Sequence, residues 1–86
     1  MKKSGHFTVY ILKCSDGSLY SGYTNDLDKR IKTHNEGKGA KYTRGRLPVE
    51  VVWQKNFKYL RCALKKEFEL KKLKKPQKEK LIQKNY

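Results

Sequence analysis

Five side chains of this 86-residue sequence are of types that act on phosphate esters when they converge: Tyr10, Tyr20, Arg30, His34 and Glu67. Hydrolysis of a phosphodiester needs an activated water, positive charge for the phosphoryl oxygens and help for the leaving oxygen. Arg30 is the candidate charge clamp, because guanidinium offers a planar donor fork that matches phosphate. Glu67 is the candidate ligand for one Mg²⁺, or Mn²⁺ in its place, since hard cations prefer carboxylate and water oxygens. Tyr10, Tyr20 and His34 are the candidate proton acceptors or hydrogen-bond donors. A tyrosine is a poor base at its usual pKa of about 10. Nearby cationic charge lowers that value, and the chain is rich in cations.

Each of these residues also has a plainer use. Strand tyrosines usually pack and leave the hydroxyl wet, a helix arginine usually sits at the surface, and His34 can cover a core edge. Glu67 can pair with Arg30 or a lysine, the usual fate of a carboxylate on an apolar face. The chemical reading therefore depends on whether the intervening elements bring the five groups to one place.

Residues 7 to 13 are β-branched and aromatic and read as a strand, with Phe7, Val9 and Ile11 on one face and Thr8, Tyr10 and Leu12 on the other. Ser18 to Thr24 reads as a second strand. The turn decides whether the tyrosines meet. A two-residue Asp16-Gly17 loop puts Tyr10 opposite Tyr23 and Tyr20 on the far face. A three-residue Ser15-Asp16-Gly17 loop with Gly17 left-handed puts Tyr10 opposite Gly22 and Leu12 opposite Tyr20. The turn preferences of these residues favour the second register. It places both tyrosines on one face, with Gly22 leaving room over the Tyr10 ring for a substrate.

A helix capped by Asn25 or Thr24 is expected to run to about Asn35, with Asp26 and Asp28 in its first turn and Gly37 as its stop. Leu27 and Ile31 form its apolar stripe, and Arg30 and His34 lie one turn apart at the core border. Residues 37 to 48 read as a basic, glycine-bearing loop, residues 49 to 54 as a third strand, and Tyr59 to Lys74 as a second long helix. On that helix Leu60, Ala63, Leu64, Phe68 and Leu70 define the expected buried face, and Glu67 projects near its middle. Pro76 suits the first turn of a short terminal helix held by Leu81 and Ile82. Residues 1 to 6 read as a flexible leader, and 7 to 86 as one small domain.

Lys and Arg number 22 against 8 Asp and Glu, giving a net charge of +14. So strong a single-sign field on so small a surface favours a polyanion, nucleic acid first. Lys38, Lys41, Arg44 and Arg46 are candidate contacts to backbone phosphates, and Tyr42 is a candidate platform for a base. No apolar run is long enough to span a membrane, and none follows the N-terminus as in a signal peptide, so a cytoplasmic location is expected. Cys14 and Cys62 lack metal-site spacing and read as reduced thiols.

Taken in order, these residues resemble the GIY-YIG nuclease superfamily, and more narrowly its small stand-alone bacterial members. The first signature stands as Thr8-Val9-Tyr10 and the second as Tyr20-Ser21-Gly22; Arg30 and His34 follow on the helix. The segment from Gly37 to Pro48 is similar to the loop of the small subgroup, and Ala63-Leu-Lys-Lys-Glu67 to the helix carrying the metal-binding glutamate. The resemblance covers about residues 7 to 82. It implies an α+β fold, a three-stranded antiparallel sheet flanked by helices. It also implies divalent-metal-dependent cleavage of DNA, with the metal on Glu67, the pentavalent phosphate on Arg30, and Tyr10 or Tyr20 acting on the water with help from His34. The sequence departs from the family pattern at Thr8 for glycine, Ser21 for isoleucine, and Tyr23 where some members carry a lysine.

With no appended recognition domain, action directed by DNA structure, in repair or processing, is expected over sequence specificity. A partner protein is a candidate source of substrate choice, and RNA offers the same phosphate chemistry. Two other classes compete: a non-catalytic basic nucleic-acid binder, which leaves an inward Glu67 unexplained, and a scaffold that recruits a separate nuclease.

Overall fold

The computed structural model describes residues 6–84. Of the expected leader only His6 falls inside that range, and it is exposed; the rest lies outside the described residues. Strands β1 (Phe7–Lys13), β2 (Leu19–Thr24) and β3 (Glu50–Phe57) form one antiparallel sheet in the order β2-β1-β3. β1 is central because both of its faces are apolar enough to be covered; Val9, Tyr10, Ile11 and Leu12 are all buried.

The hairpin takes the three-residue turn. Gly17 has φ 86° and its N–H bonds Cys14 O at 3.0 Å, while Asp16 Oδ1 accepts from the Ser18 N–H at 3.0 Å. Tyr10 therefore faces Gly22 and Leu12 faces Tyr20, the register that brings the tyrosines together. β3 runs to Phe57, beyond the expected residue 54, because Phe57 and Asn56 still pair with Phe7 and Thr8. Polar Lys55 and Asn56 are tolerated there because an edge strand meets solvent.

Helix α1 (Leu27–Asn35) lies on the face of Tyr10 and Leu12, with Leu27, Ile31 and Leu47 packed around them. Its N-cap is Asp26, not Asn25 or Thr24: the Asp26 carboxylate accepts from Lys29 N–H at 3.2 Å. Thr24 is still paired to Thr8 in the sheet, so its hydroxyl instead accepts from Asp26 N–H at 3.1 Å and braces the turn into the helix. The basic loop is not wholly irregular, since Lys41–Arg44 makes one helical turn, α2.

The other face, Val9 and Ile11 with Trp53, is covered by α3 (Leu60–Lys71) and α4 (Lys75–Lys84) through Ala63, Leu70, Leu73, Leu81 and Ile82. α3 rests on a different stripe from the one its apolar residues suggest. Ala63 and Leu70 are buried, but Leu60, Leu64 and Phe68 are exposed. The two sets lie nearly a third of a turn apart at about 100° per residue. The sheet selects the stripe with small Ala63 at its centre, since that allows the closest approach. Glu67 therefore lies on the flank of the contact, with 19% of its side chain exposed, rather than in its middle.

Candidate active site

The sheet register sets the first part of the site. Tyr10, Tyr20 and Gly22 share one face, and Gly22 lets the two phenols close on each other. A Cβ at Gly22 would stand 2.7 Å from the Tyr10 hydroxyl oxygen and 3.3 Å from Tyr20 Cε2. The space above Gly22 is thus taken by the tyrosines themselves, not left for a substrate. A side chain there would push one or both rings aside.

His34 completes a buried chain of polar groups. It is fully buried instead of bordering the core. Its Nε2 lies 3.4 Å from the Tyr10 hydroxyl, and its Nδ1 lies 2.9 Å from Thr43 Oγ1. Thr43 Oγ1 in turn donates to Ala40 O at 2.9 Å. A hydroxyl has one hydrogen. Thr43 spends it on Ala40, so it must accept from His34 Nδ1–H. That fixes the neutral tautomer and leaves Nε2 as an acceptor for the Tyr10 hydroxyl. Gly39 packs directly on the imidazole, where any Cβ would collide with Nδ1 and Cγ. The Tyr20 ring meets the same imidazole edge-on, with centroids 5.7 Å apart.

The loop that carries Gly39 and Thr43 is tied at both ends. The Asn35 side chain accepts from Val49 N–H at 2.8 Å and donates to Val49 O at 3.3 Å, and Ser15 N–H donates to Arg46 O at 2.8 Å. Sequence reading missed Gly39, Thr43 and Asn35 as site residues. The available signal was a small hydroxyl residue and a glycine spaced within a lysine-rich loop, but such a loop reads as solvated surface.

Burial sets the electrostatics. Desolvation raises the Tyr10 pKa above the usual 10.0, although the Arg30 guanidinium, as a nearby donor and as a positive charge, pulls it down. The cation-lowered tyrosine expected from the sequence is therefore not what Tyr10 presents. Tyr10 is a neutral phenol. His34 is pushed below 6.5, first by desolvation and then by the Arg30 charge, so its imidazole is neutral at pH 7. Tyr10 feels Tyr20, Arg30 and Glu67 together, so the structure brings all five candidate groups to one place.

Glu67 reaches this place from the opposite layer. It pairs with Lys71 at 3.6 Å and not with Arg30, and the Lys71 ammonium lies 5.5 Å from the Tyr20 ring centre. Among the described residues no three of His, Cys, Asp and Glu cluster as a metal site. A lone carboxylate does not fit a closed protein cage. It does fit Mg²⁺, which keeps several waters and is commonly held by one or two carboxylates plus substrate phosphate.

Of the loop residues, Lys38, Lys41 and Arg44 are exposed. Tyr42 is exposed as well, and its ring stacks on Tyr20 at 5.7 Å and 26° with the Arg46 guanidinium 4.3 Å from its centre. Arg46 also reaches the Asp16 carboxylate at 3.7 Å. No helix among the described residues is long and apolar enough to cross a membrane.

Residues 6–80 match the family described as the GIY-YIG catalytic domain. The UPF0213 protein YazA of Bacillus subtilis is 51% identical over 83 residues, which is 96% of this chain and 83% of that protein. A UPF0213 protein of Clostridium perfringens is 58% identical over 74 residues, 86% of this chain and 80% of its own length. Two solution structures are similar. A UPF0213 protein from Bacillus halodurans has a TM-score of 0.60 at 50% identity, covering 91% of this chain and 83% of that one. An Enterococcus relative, from E. faecalis, has a TM-score of 0.66 at 38% identity, covering 98% and 90%.

Proposed function

The chain belongs to the GIY-YIG catalytic-domain family, and from that premise we propose that it is a divalent-metal-dependent endonuclease. Its substrate in this reading is DNA, chosen by structure instead of sequence in repair or processing. The observation that carries the reading is the directed chain from the Tyr10 hydroxyl to His34 Nε2 and from His34 Nδ1–H to Thr43. A structural core has no need of a neutral phenol aimed at a neutral imidazole whose tautomer is locked.

In the reaction, water gives a proton to the Tyr10 oxygen while the Tyr10 proton passes to His34 Nε2. The water oxygen forms the new bond to phosphorus, and the bond to the leaving oxygen breaks, that oxygen keeping the electron pair and taking a proton from solvent. His34 is the net base and Tyr10 the relay, which removes the need for a standing phenolate that burial disfavours. Arg30 receives the charge that develops on the phosphoryl oxygens. Tyr20 holds the far side of the site and is the candidate to position the phosphate or the leaving group. Glu67 is the residue to hold Mg²⁺ or Mn²⁺, which when bound adds Lewis-acid charge at the phosphate. Lys71 must then release Glu67, and its ammonium is free to meet the incoming polyanion. Lys38, Lys41, Arg44 and Arg46 are assigned to the flanking backbone. Tyr42, which stacks on Tyr20 and is 43% exposed, is assigned to a base of the bound strand.

The test is cleavage of end-labelled duplex, single-stranded, nicked and branched DNA with Mg²⁺ or Mn²⁺, beside Glu67→Ala and Tyr10→Phe. Metal-dependent cutting that both substitutions abolish is the expected result. The Glu67–Lys71 pair favours one other reading, a basic nucleic-acid binder in which Glu67 only neutralises a lysine. Binding without cutting on every substrate, unchanged in Glu67→Ala, would establish that reading instead.

A further inference from the structure

Lys78 is a buried cation without a counterion. It is 9% exposed. The ion pairs among the described residues are Arg46–Asp16, Lys66–Glu69 and Lys71–Glu67, so none includes it. Its stem is buried while its ammonium stays open to the cavity with no ion-pair partner among the described residues. Desolvation lowers its pKa most; the facing Tyr42 pulls it back up, and the Lys71 charge lowers it again by a smaller amount. Glu79, its neighbour on α4, lines a different cavity, with Lys13, Leu19 and Gln83.

Lys78 opens into a cavity of about 310 Å³ lined also by Lys75, Tyr42, Asp16, Ser18 and Leu19. Lys75 directs its ammonium over the hairpin turn, 3.8 Å from where a Cβ on Gly17 would stand. The one carboxylate in the lining, Asp16, is already committed. It accepts from the Ser18 N–H at 3.0 Å and the Ser18 hydroxyl at 2.6 Å, and it faces Arg46 at 3.7 Å. The Tyr42 wall is the ring that stacks on Tyr20, so the cavity begins one aromatic ring away from the candidate catalytic tyrosines.

We infer that the cavity between α4 and the β1–β2 turn is a phosphate subsite, in which Lys75 and Lys78 hold a backbone phosphate of the strand being cut, next to the scissile one. The assignment rests on the nuclease reading for the identity of the ligand. The physical case for an anion does not, because it follows from the uncompensated lysines. Two ammonium donors and the tyrosine edge recognise a phosphate without reading a base, so the subsite serves affinity and register, not sequence. It also gives α4 a role beyond covering the sheet.

The test uses the full chain and variants K78M, K75Q and, as a control of equal charge loss on the outward side of α1, K32Q. Binding of fluorescein-labelled single-stranded and duplex oligonucleotides is followed by anisotropy over a salt series without divalent metal. K78M and K75Q are each expected to weaken binding several-fold and to reduce the salt slope by about 1, the change for one lost phosphate contact. K32Q is expected to change both less. In a second arm, thermal unfolding is compared in inorganic phosphate and in chloride at matched ionic strength. Phosphate should raise the wild-type Tm beyond chloride, and K78M should lose that difference. Folded K78M and K75Q with wild-type affinity and slope would overturn the inference and leave Lys78 as a core residue. If K78M does not fold, K75Q, which alters an exposed side chain, decides alone. If the wild type binds no oligonucleotide, the nuclease reading fails, and the second arm decides whether the cavity is an anion site at all: a phosphate effect lost in K78M upholds it, and no effect refutes it.

Discussion

The two sides of the site are built on opposite principles. On the α1 and α2 side, Tyr10, His34 and Thr43 are buried, neutral and hydrogen-bonded to one another, and the chain ends on a backbone carbonyl. On the α3 and α4 side, Lys71, Lys75 and Lys78 gather beside Tyr20 and Tyr42, and the acids near them, Glu67 and Asp16, are paired with Lys71 and Arg46. The first side is complete without a ligand and the second is not. Proton transfer benefits from groups already placed in a water-poor setting, where reorganisation at the moment of reaction is small. Binding a polyanion benefits from charge that stays uncompensated until the ligand arrives. In the proposed function, the difference separates residues assigned to the rate from residues assigned to affinity.

The largest expected effect breaks the neutral side directly. Tyr10→Phe and His34→Ala should each lower kcat by about 10²-fold or more, with little change in DNA affinity measured without metal. A matching fall in affinity would show that the two sides are not separable. Gly22→Ala should follow, with losses approaching about 10²-fold in kcat, since a Cβ cannot fit 2.7 Å from the Tyr10 hydroxyl and misplacement on that scale is costly.

Thr43→Val sharpens the comparison further. It keeps shape but removes the acceptor for His34 Nδ1–H, and the expected loss is below the about 10²-fold effect of removing the base itself. KM should stay the same. ¹⁵N NMR of the His34 ring should show a single Nδ1–H tautomer in the wild type and a mixture in the variant, a change that simple loosening of the loop does not require.

His34 also makes a pH prediction. Tyr10, Tyr20, Arg30 and Thr43 face it, and burial with the Arg30 charge lowers its pKa below 6.5. In the proposed reaction His34 acts as the neutral ring, so the acid limb of the rate should lie below pH 6.5. The sign for stability is the same. Below about pH 6.5 the unfolded chain binds this proton more readily than the native one, so stability falls with pH until the lowered native value is passed. His34→Phe should flatten that part of the Tm profile.

The smallest effect lies away from both sides. Ser21 Oγ is buried without a hydrogen-bond partner. Ser21→Ala should therefore raise stability by roughly 1 kcal/mol in urea unfolding, with cleavage unchanged.

Much of this was legible in the chain. The Ser15-Asp16-Gly17 turn fixed the register, because only Gly17 suits the left-handed position and the side-chain period of a strand then leaves no choice of face. Tyr10, Tyr20, Arg30, His34 and Glu67 stood out as candidates by type, spacing and the family resemblance. What the sequence did not determine was which stripe of α3 meets the sheet, since Ala63 and the Leu60, Leu64 and Phe68 row are equally periodic. Nor did it reveal that Thr43 and Gly39 turn inward onto His34, or that Lys78 is buried without a counterion. Register and helical period are local properties carried by neighbouring residues. The depth of a loop and the partner of a lysine depend on contacts between segments far apart in the chain, and only tertiary packing decides those.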